Sequence, residues 1–149
     1  EGDIVEAAEL GQYDTVVSLG CADWNIETKK IVNACWARLK ENGTFIVSLR
    51  ITPEEGVNDI KKSFQCLNFS GKEEKPEIAN YVVLNLKEAL NMLKKLEPSP
   101  ELIGAYGYWG KPSSMARTPF ERIVFSVFYV KKRPKSSNDK VKLELELPI

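Results

Sequence analysis

The sequence predicts an α/β domain in which parallel strands are joined by helical crossovers and an antiparallel strand pair closes the sheet. An apolar run at residues 16–19 ends in small and polar residues, and one helical stretch later a second apolar run occupies residues 44–52. Strand, helix and strand within about forty residues form a parallel crossover. Residues 102–109 and 122–130 are strand-like with no helix between them, which predicts antiparallel neighbours.

Composition excludes several classes of protein. With 149 residues, 43% of them hydrophobic and 28% charged, the chain has the size and make-up of one globular domain. No apolar run reaches the roughly 18 residues of a membrane span, so a membrane is not an expected partner. Twenty-one basic and twenty-one acidic residues cancel, and a balanced charge makes nucleic acid an unlikely partner.

The histidine and cysteine content excludes several types of active site and indicates a cellular compartment. The chain has no histidine, which excludes Ser–His and Cys–His nucleophile systems and histidine metal sites, and we expect no metal. Its three cysteines form no CxxC pair and leave an odd thiol. This usage predicts a reducing compartment, by default the cytoplasm.

The first helix is predicted to begin after Asn25 as its N-cap and to end at Asn42–Gly43. Its apolar stripe has the spacing of a helix that lies on a sheet: Ile31, Val32, Cys35 and Leu39. Residues 54–64 have a weaker helical pattern. A second helix begins at Asn85, where Glu88 three residues later forms a capping-box pattern, and Pro98 ends it.

The end of the chain is predicted to be a linker followed by an edge strand or an added hairpin arm. Residues 1–133 carry the α/β pattern, and a charged linker begins at residue 134. Residues 141–147 alternate apolar and charged side chains, as a half-exposed edge strand does. We therefore assign residues 134–149 to a linker and a C-terminal edge strand.

Polar groups at the carboxyl end of the first strand are the first candidates for a site, because open α/β sheets bind ligands there. Asp23 and Trp24 follow that strand directly. Both have an alternative interpretation as ordinary residues at the start of a helix, with Trp24 packing as a hydrophobic staple. Cys21 has no histidine to activate it, so its small size is the better reason for its position.

Aromatic residues separated by glycines form a second candidate. Tyr106, Tyr108 and Trp109 lie at the end of a predicted strand and could form a wall that stacks on a flat or cationic acceptor. Strand alternation places the two tyrosines on one face and Trp109 on the other. The alternative is that one of these faces belongs to the core.

The order of these segments resembles the C-terminal part of a class I S-adenosylmethionine-dependent methyltransferase, from residue 1 to about residue 133. Residues 1–4 are similar to the family's acidic motif after the third strand of its Rossmann-like sheet. Residues 13–24 resemble its fourth-strand motif, and residues 39–45 resemble its LkpGG turn into the fifth strand. The resemblance implies a partial methyltransferase sheet with an antiparallel C-terminal strand pair.

The resemblance implies methyl transfer from S-adenosylmethionine, in line and without a metal, to an acceptor that we expect to be a small molecule. It implies adenine contacts from Asp3 and Ile4, and it implies that Asp23 is the catalytic residue. The remaining residues border the methionine moiety (Ser18, Leu19, Gly20 and Cys21) or the acceptor (Trp24, Tyr106, Tyr108 and Trp109).

The family's glycine-rich cofactor loop has no counterpart here. No GxGxG or GxGxxG occurs in the chain, and neither does the acidic residue that holds the ribose hydroxyls. We therefore expect the chain to be a piece of a longer protein, with an N-terminal segment or a partner chain completing the cofactor pocket. The alternative function is a non-catalytic methyltransferase-like interaction module or fragment.

Overall fold

The computed structural model describes residues 4–5, 11–67, 77–134 and 140–149. Asp3, predicted to contact the cofactor, lies outside these residues. The described part contains nine strands and two α-helices, which are, in chain order, β1 (Tyr13–Ser18), α1 (Thr28–Ala37), β2 (Leu39–Thr52), β3 (Phe64–Leu67), β4 (Glu77–Asn80), β5 (Leu84–Asn85), α2 (Leu86–Lys94), β6 (Pro100–Gly110), β7 (Ala116–Arg117), β8 (Ile123–Lys132) and β9 (Lys142–Glu146). Neither helix is long and apolar enough to cross a membrane.

The main sheet has the strand order β1-β2-β8-β6-β9, and β5 pairs with the end of β2. Strands β1 and β2 are parallel and are joined through α1, whereas β8 runs antiparallel to both β2 and β6. This arrangement confirms the predicted parallel crossover and the antiparallel closing pair. Strand β9 lies at the far edge, parallel to β6, at residues that the sequence predicts to be an edge strand.

Both helices pack on one face of this sheet, which we call the covered face. Alternate residues of β2 point into that layer, from Phe45 to Ile51, and each is at most 1% exposed. Because successive side chains of a strand point to opposite faces, these positions form one continuous core with the helices. The core includes Ile31, Val32, Cys35 and Trp36 of α1, Ala89 and Leu93 of α2, and Phe128 and Val130 of β8.

The opposite face, which we call the open face, carries no helix among the described residues. Strand register places Ile46 beside both Val17 and Tyr129, and Val127 beside Tyr106. Five large side chains of this face are 38 to 61% exposed: Val17, Tyr106, Tyr108, Val127 and Tyr129. Much of the open face is therefore exposed, whereas the covered face is buried.

Residues 54–64, predicted to be helical, form turns and a single β-bridge that lead into β3 of a second sheet, which has the strand order β4-β3-β7. That prediction is wrong because tertiary pairing overrides the helical spacing. Val57 forms a bridge with Val83, and Phe64 begins β3. Between them Asp59 closes a turn, accepting hydrogen bonds from the backbone of Lys61 and of Ser63.

The helix ends show which capping signals were reliable. At α2 the predicted capping box is present: Asn85 Oδ1 accepts from Lys87 N at 2.8 Å, and Asn85 N donates to Glu88 Oε2 at 3.1 Å. At α1 the prediction is wrong, because Asn25 Oδ1 instead accepts from Glu27 N and the helix begins at Thr28. Asn42, at φ 61°, lies within an irregular stretch of β2, not at a helix end.

Candidate functional site

A cavity of about 600 Å³ lies on the open face, where residues of the second sheet and its flanking loops face the main sheet. Residues that follow β1 form one side, β2, β6 and β8 form the floor, and Gln65 and Tyr81 come from the second sheet and the segment after it. We call this space the aromatic cavity. Its main lining side chains are Asp23, Trp24, Ser48, Arg50, Tyr81, Tyr106, Tyr108, Lys111, Phe125 and Val127.

A buried ion pair forms one end of the aromatic cavity. Arg50 Nε donates to Asp23 Oδ2 at 2.8 Å, and the two side chains are only 4% and 6% exposed. Arg50 points from the open face of β2, and Asp23 lies in the 3-10 turn Ala22–Trp24 after β1. Two atoms of the pair have no hydrogen-bond partner among the described residues: Asp23 Oδ1 and Arg50 Nη1.

Two aromatic rings enclose the guanidinium group of Arg50. Its central carbon lies 4.3 Å from the ring centroid of Trp24 and 3.7 Å from that of Tyr81, and the two rings are perpendicular. A cation over an aromatic face is attracted by the ring quadrupole, more strongly when water is excluded. Burial raises the pKa of Tyr81, which keeps its hydroxyl neutral. The backbone also fixes Asp23, whose carbonyl accepts from Val82 N.

Aromatic side chains of β6 and β8 form the floor. The rings of Tyr108 and Phe125 stack with centroids 5.9 Å apart, and Tyr106 beside them is 61% exposed. Gly110 permits this arrangement, since a Cβ there would stand 2.7 Å from the Phe125 ring. The floor therefore offers flat apolar surface to a ligand.

Trp109, predicted with the two tyrosines, does not line the aromatic cavity. It points to the opposite face of β6, where its Nε1 donates to the carbonyl of Pro148 at 3.2 Å. The guanidinium carbon of Arg122 lies 5.0 Å from its ring centroid. The alternation noted in the sequence thus separates Trp109 from Tyr106 and Tyr108.

A second cavity, of about 570 Å³, lies at the carboxyl end of β1, and we call it the strand-end cavity. It brings together four residues predicted to bind the cofactor: Ile4, Ser18, Leu19 and Cys21. Gly20 instead lines the aromatic cavity, where its N–H donates to Ser48 Oγ at 2.7 Å and its φ of +60° suits glycine. Trp24 lines both cavities, so the two adjoin.

The strand-end cavity fits one side of a nucleoside-methionine ligand. Ile4 and Leu19 offer apolar contact, and Ser18 offers a hydroxyl group. None of the described residues that line it is charged, so it holds no carboxylate for ribose hydroxyls and no cation for a carboxylate. The described residues also contain no cluster of three or more metal-ligating side chains.

Four residues that line the aromatic cavity were not predicted from the sequence: Arg50, Tyr81, Ser48 and Phe125. A signal existed for Arg50, because an arginine in an otherwise apolar buried strand needs a partner. No signal existed for Tyr81, whose position depends on the unpredicted second sheet.

Comparison with known proteins shows a similarity of fold but none of sequence. No protein family matches the sequence, and no curated protein is detectably similar to it. Among solved structures, the chain is similar to an S-adenosylmethionine-dependent methyltransferase from Clostridium acetobutylicum ATCC 824 (14% identity, TM-score 0.49, 89% of this chain and 63% of that one). It is also similar to a putative S-adenosylmethionine-dependent methyltransferase from Listeria monocytogenes (17% identity, TM-score 0.50, 89% and 68%).

A third similar structure is the glycopeptide N-methyltransferase MtfA complexed with S-adenosyl-L-methionine (15% identity, TM-score 0.44, 90% of this chain and 63% of that one). The chain thus spans about two thirds of the length of these structures. It has a class I methyltransferase-like α/β fold, with the sheet closed by antiparallel strands.

Proposed function

We propose that this domain takes part in methyl transfer from S-adenosylmethionine to a small-molecule acceptor. The observation that carries the proposal is the pair of adjoining cavities at the carboxyl end of β1, which share Trp24 within a methyltransferase-like sheet. The cofactor would contact the strand-end cavity, and the acceptor would bind in the aromatic cavity. When bound, S-adenosylmethionine supplies an electrophilic methyl group and leaves as a neutral thioether.

Asp23 is the candidate catalytic residue. Its Oδ2 is held by Arg50, and its Oδ1 has no partner among the described residues, so Oδ1 can accept a hydrogen bond and then a proton from the acceptor. Arg50 is a positioning residue, since its guanidinium group fixes the carboxylate and is itself fixed between Trp24 and Tyr81. Alignment of acceptor and methyl group is the main contribution of the protein.

We also propose that residues upstream of this sequence, or a partner chain, complete the cofactor pocket. The strand-end cavity supplies one uncharged side only. Among the described residues β2 is the one strand that pairs with β1, and Val17 and Leu19 at the end of β1 are each 56% exposed. The free edge of a parallel strand with exposed apolar side chains is a surface to which another strand can pair.

The test is a calorimetric titration of S-adenosylhomocysteine into this chain and into the natural polypeptide that contains it. We expect binding by at least the natural polypeptide, and we expect Leu19→Arg to weaken it more than tenfold by filling the strand-end cavity. The matched control is Ile78→Arg, an exposed position outside both cavities. Absence of binding by both proteins, or equal loss in the two variants, would contradict the proposal.

A second candidate, a non-catalytic interaction module, is favoured by the open face, whose contiguous exposed side chains are typical of a protein-binding surface. A stable complex with a partner chain, formed by a protein that binds no S-adenosylhomocysteine in or out of the complex, would distinguish this module from an enzyme. For either function a reducing compartment such as the cytoplasm suits the three cysteines, all of which are free.

A further inference from the structure

The outer edge of β9 is free among the described residues. Strand β9 stands at one end of the main sheet, and in the described part of the chain it pairs with β6 alone. All five of its residues are exposed. In a parallel strand, successive residues point their backbone N–H and C=O groups alternately to one side and to the other. Alternate residues of β9 therefore direct both groups away from β6, where another strand can bond to them.

The side chains of β9 and of the two residues before it are ordered by charge, and we call residues 140–146 the β9 edge. Alternate positions carry two lysines and then two glutamates: Lys140, Lys142, Glu144 and Glu146. The positions between them are apolar: Val141, Leu143 and Leu145. Tyr129 of the open face donates its hydroxyl to Glu144 Oε2 at 3.0 Å, so the charged side chains lie on that face. The β9 edge therefore has a positive half and a negative half.

This order of charges makes the β9 edge complementary to itself. Antiparallel pairing reverses the direction of one strand, so in a pair centred on Leu143 the lysines of each copy face the glutamates of the other. Lys142 lies opposite the partner's Glu144, and Lys140 lies opposite the partner's Glu146. On the other side, apolar residues face apolar residues. Charges on an edge strand usually keep other strands away, but in this order they attract a second copy of the same strand.

Other alignments of two copies bring like charges together. A pair centred on Glu144 places the two copies of Glu144 opposite each other, and a pair centred on Lys142 does the same with that lysine. In a parallel, in-register pair every lysine faces a lysine. Like charges directly opposite each other destabilise a strand pair, and opposite charges stabilise it. The charge order therefore selects a single antiparallel register, with a two-fold axis at Leu143.

The charged side chains nearest this axis are already in contact within one chain. Lys142 Nζ lies 2.6 Å from Glu144 Oε1, and Glu144 also accepts a hydrogen bond from Tyr129. An ionised carboxylate has about four acceptor sites and an ammonium group has three donors, so each can bind a second partner. Two copies would therefore bring four charged groups into a closed ring in which lysine and glutamate alternate.

We propose that two copies of this chain associate through the β9 edge, antiparallel and centred on Leu143, so that the main sheet continues from one copy into the other. Such an interface is two-fold symmetric, and each contact in it occurs twice. Because one strand pair buries less surface than the roughly 1,600 Å² of a standard interface, the dimer is weak, with a dissociation constant on the order of 100 µM. No residue of the β9 edge lines the aromatic or the strand-end cavity, so the association is separate from the proposed function.

Charge reversal tests the contacts across the axis. Sedimentation of the unchanged chain should show dimers that form as its concentration rises. Lys142→Glu and Glu144→Lys should each weaken this association about tenfold, since each variant places two pairs of like charges across the axis. An equal mixture of the two variants should associate as tightly as the unchanged chain, because every charge in the mixed pair again faces its opposite. Mixing cannot correct a variant that fails to fold, so recovery is specific to the interface.

Cross-linking tests the register. Opposed residues of an antiparallel pair have Cα atoms about 4.5 to 5.5 Å apart, within the range that a disulfide spans. Leu143→Cys should therefore give a disulfide-linked dimer on mild oxidation. The matched control is Leu145→Cys, which is equally exposed on the same strand but would lie about 13 Å from its own copy. The native cysteines are present in both variants and cannot produce a difference between them.

Several results would overturn the proposal. One is a chain that stays monomeric up to about 1 mM. The others are charge variants that associate as the unchanged chain does, a mixture that shows no recovery, or equal cross-linking of the two cysteine variants. No cofactor is present in these measurements, so their outcome does not depend on S-adenosylhomocysteine binding.

Discussion

The covered and open faces of the main sheet are made by the same strands, yet they differ in almost every property. On β8, Phe128 is fully buried against the helices, while its neighbours Val127 and Tyr129 are 39% and 38% exposed. The covered face is aliphatic and aromatic core, and the open face carries tyrosines, a buried ion pair and a cavity. Burial on the covered face thus contributes most of the stability of the domain, whereas the open face carries the cavity that could bind a ligand.

The largest expected difference between the two faces is in the stability lost when neighbouring residues of β8 are replaced by alanine. Phe128→Ala should lower the free energy of unfolding by about 3 to 5 kcal/mol, because it removes a buried ring and leaves a cavity. Val127→Ala, one residue away, should cost less than about 1 kcal/mol because its side chain is half-exposed. Urea denaturation of both variants measures the contrast, and similar midpoints would mean that the open face is covered in solution.

The buried ion pair is the exception on the open face. Arg50→Met should destabilise the chain by about 3 kcal/mol, since it leaves the Asp23 carboxylate buried without a counter-charge. Asp14→Asn, which breaks the exposed Lys40–Asp14 pair, is the control and should cost about 0 to 1 kcal/mol. Adding Asp23→Leu to Arg50→Met should restore part of the loss in thermal unfolding. If stability is not restored, contacts of the two side chains other than their charge interaction must contribute to it.

A smaller loss of stability is expected where the ring of Tyr129 packs closely on Gly104. A Cβ at Gly104 would lie 1.8 Å from the ring of Tyr129, which covers this glycine on the open face. Gly104→Ala should therefore cost about 1 kcal/mol, because the half-exposed ring can turn into solvent. In a Tyr129→Ala background the same substitution should cost nothing. An undiminished cost there would assign the strain to the backbone.

The smallest expected effect is a difference in thiol reactivity between the buried Cys35 and the exposed Cys21. Burial, and secondarily the neighbouring Cys21, raise the pKa of Cys35 to about 11, so at pH 8 its thiol stays protonated and unreactive. Cys21 is exposed at the strand-end cavity and should be alkylated first by iodoacetamide. Peptide mass mapping over time measures both sites. Alkylation of Cys35 at the rate of Cys21 in the folded chain would show that α1 opens readily.

Sequence patterns predicted well where local chemistry decides the structure. Asn85 and Glu88 form the capping box that their spacing indicates, and the apolar stripe of α1 packs on the sheet. The helix predicted over residues 54–64 is absent, because Val57 pairs with Val83 and Phe64 pairs within the second sheet although their spacing is helical. Helix spacing and short strands cannot be separated when the partner lies many residues away.

For the candidate site, the sequence identified Asp23, Trp24, Tyr106 and Tyr108 from strand ends and alternation, and the structure brings these four to one cavity. It also indicated that Trp109 faces the other way. It did not indicate Tyr81, because that residue reaches the cavity only through the second sheet.

The sequence by itself determined the α/β class, the parallel crossover, the antiparallel closing strands and the position of Asp23 after β1, because periodicity and strand-end chemistry are local. Only the tertiary structure decided that Arg50 pairs with Asp23, that Tyr81 encloses the pair, and that one face of the sheet is open. The enclosed ion pair depends on contacts between residues 27 to 57 positions apart, whose geometry follows from the packing of whole elements and not from any local pattern.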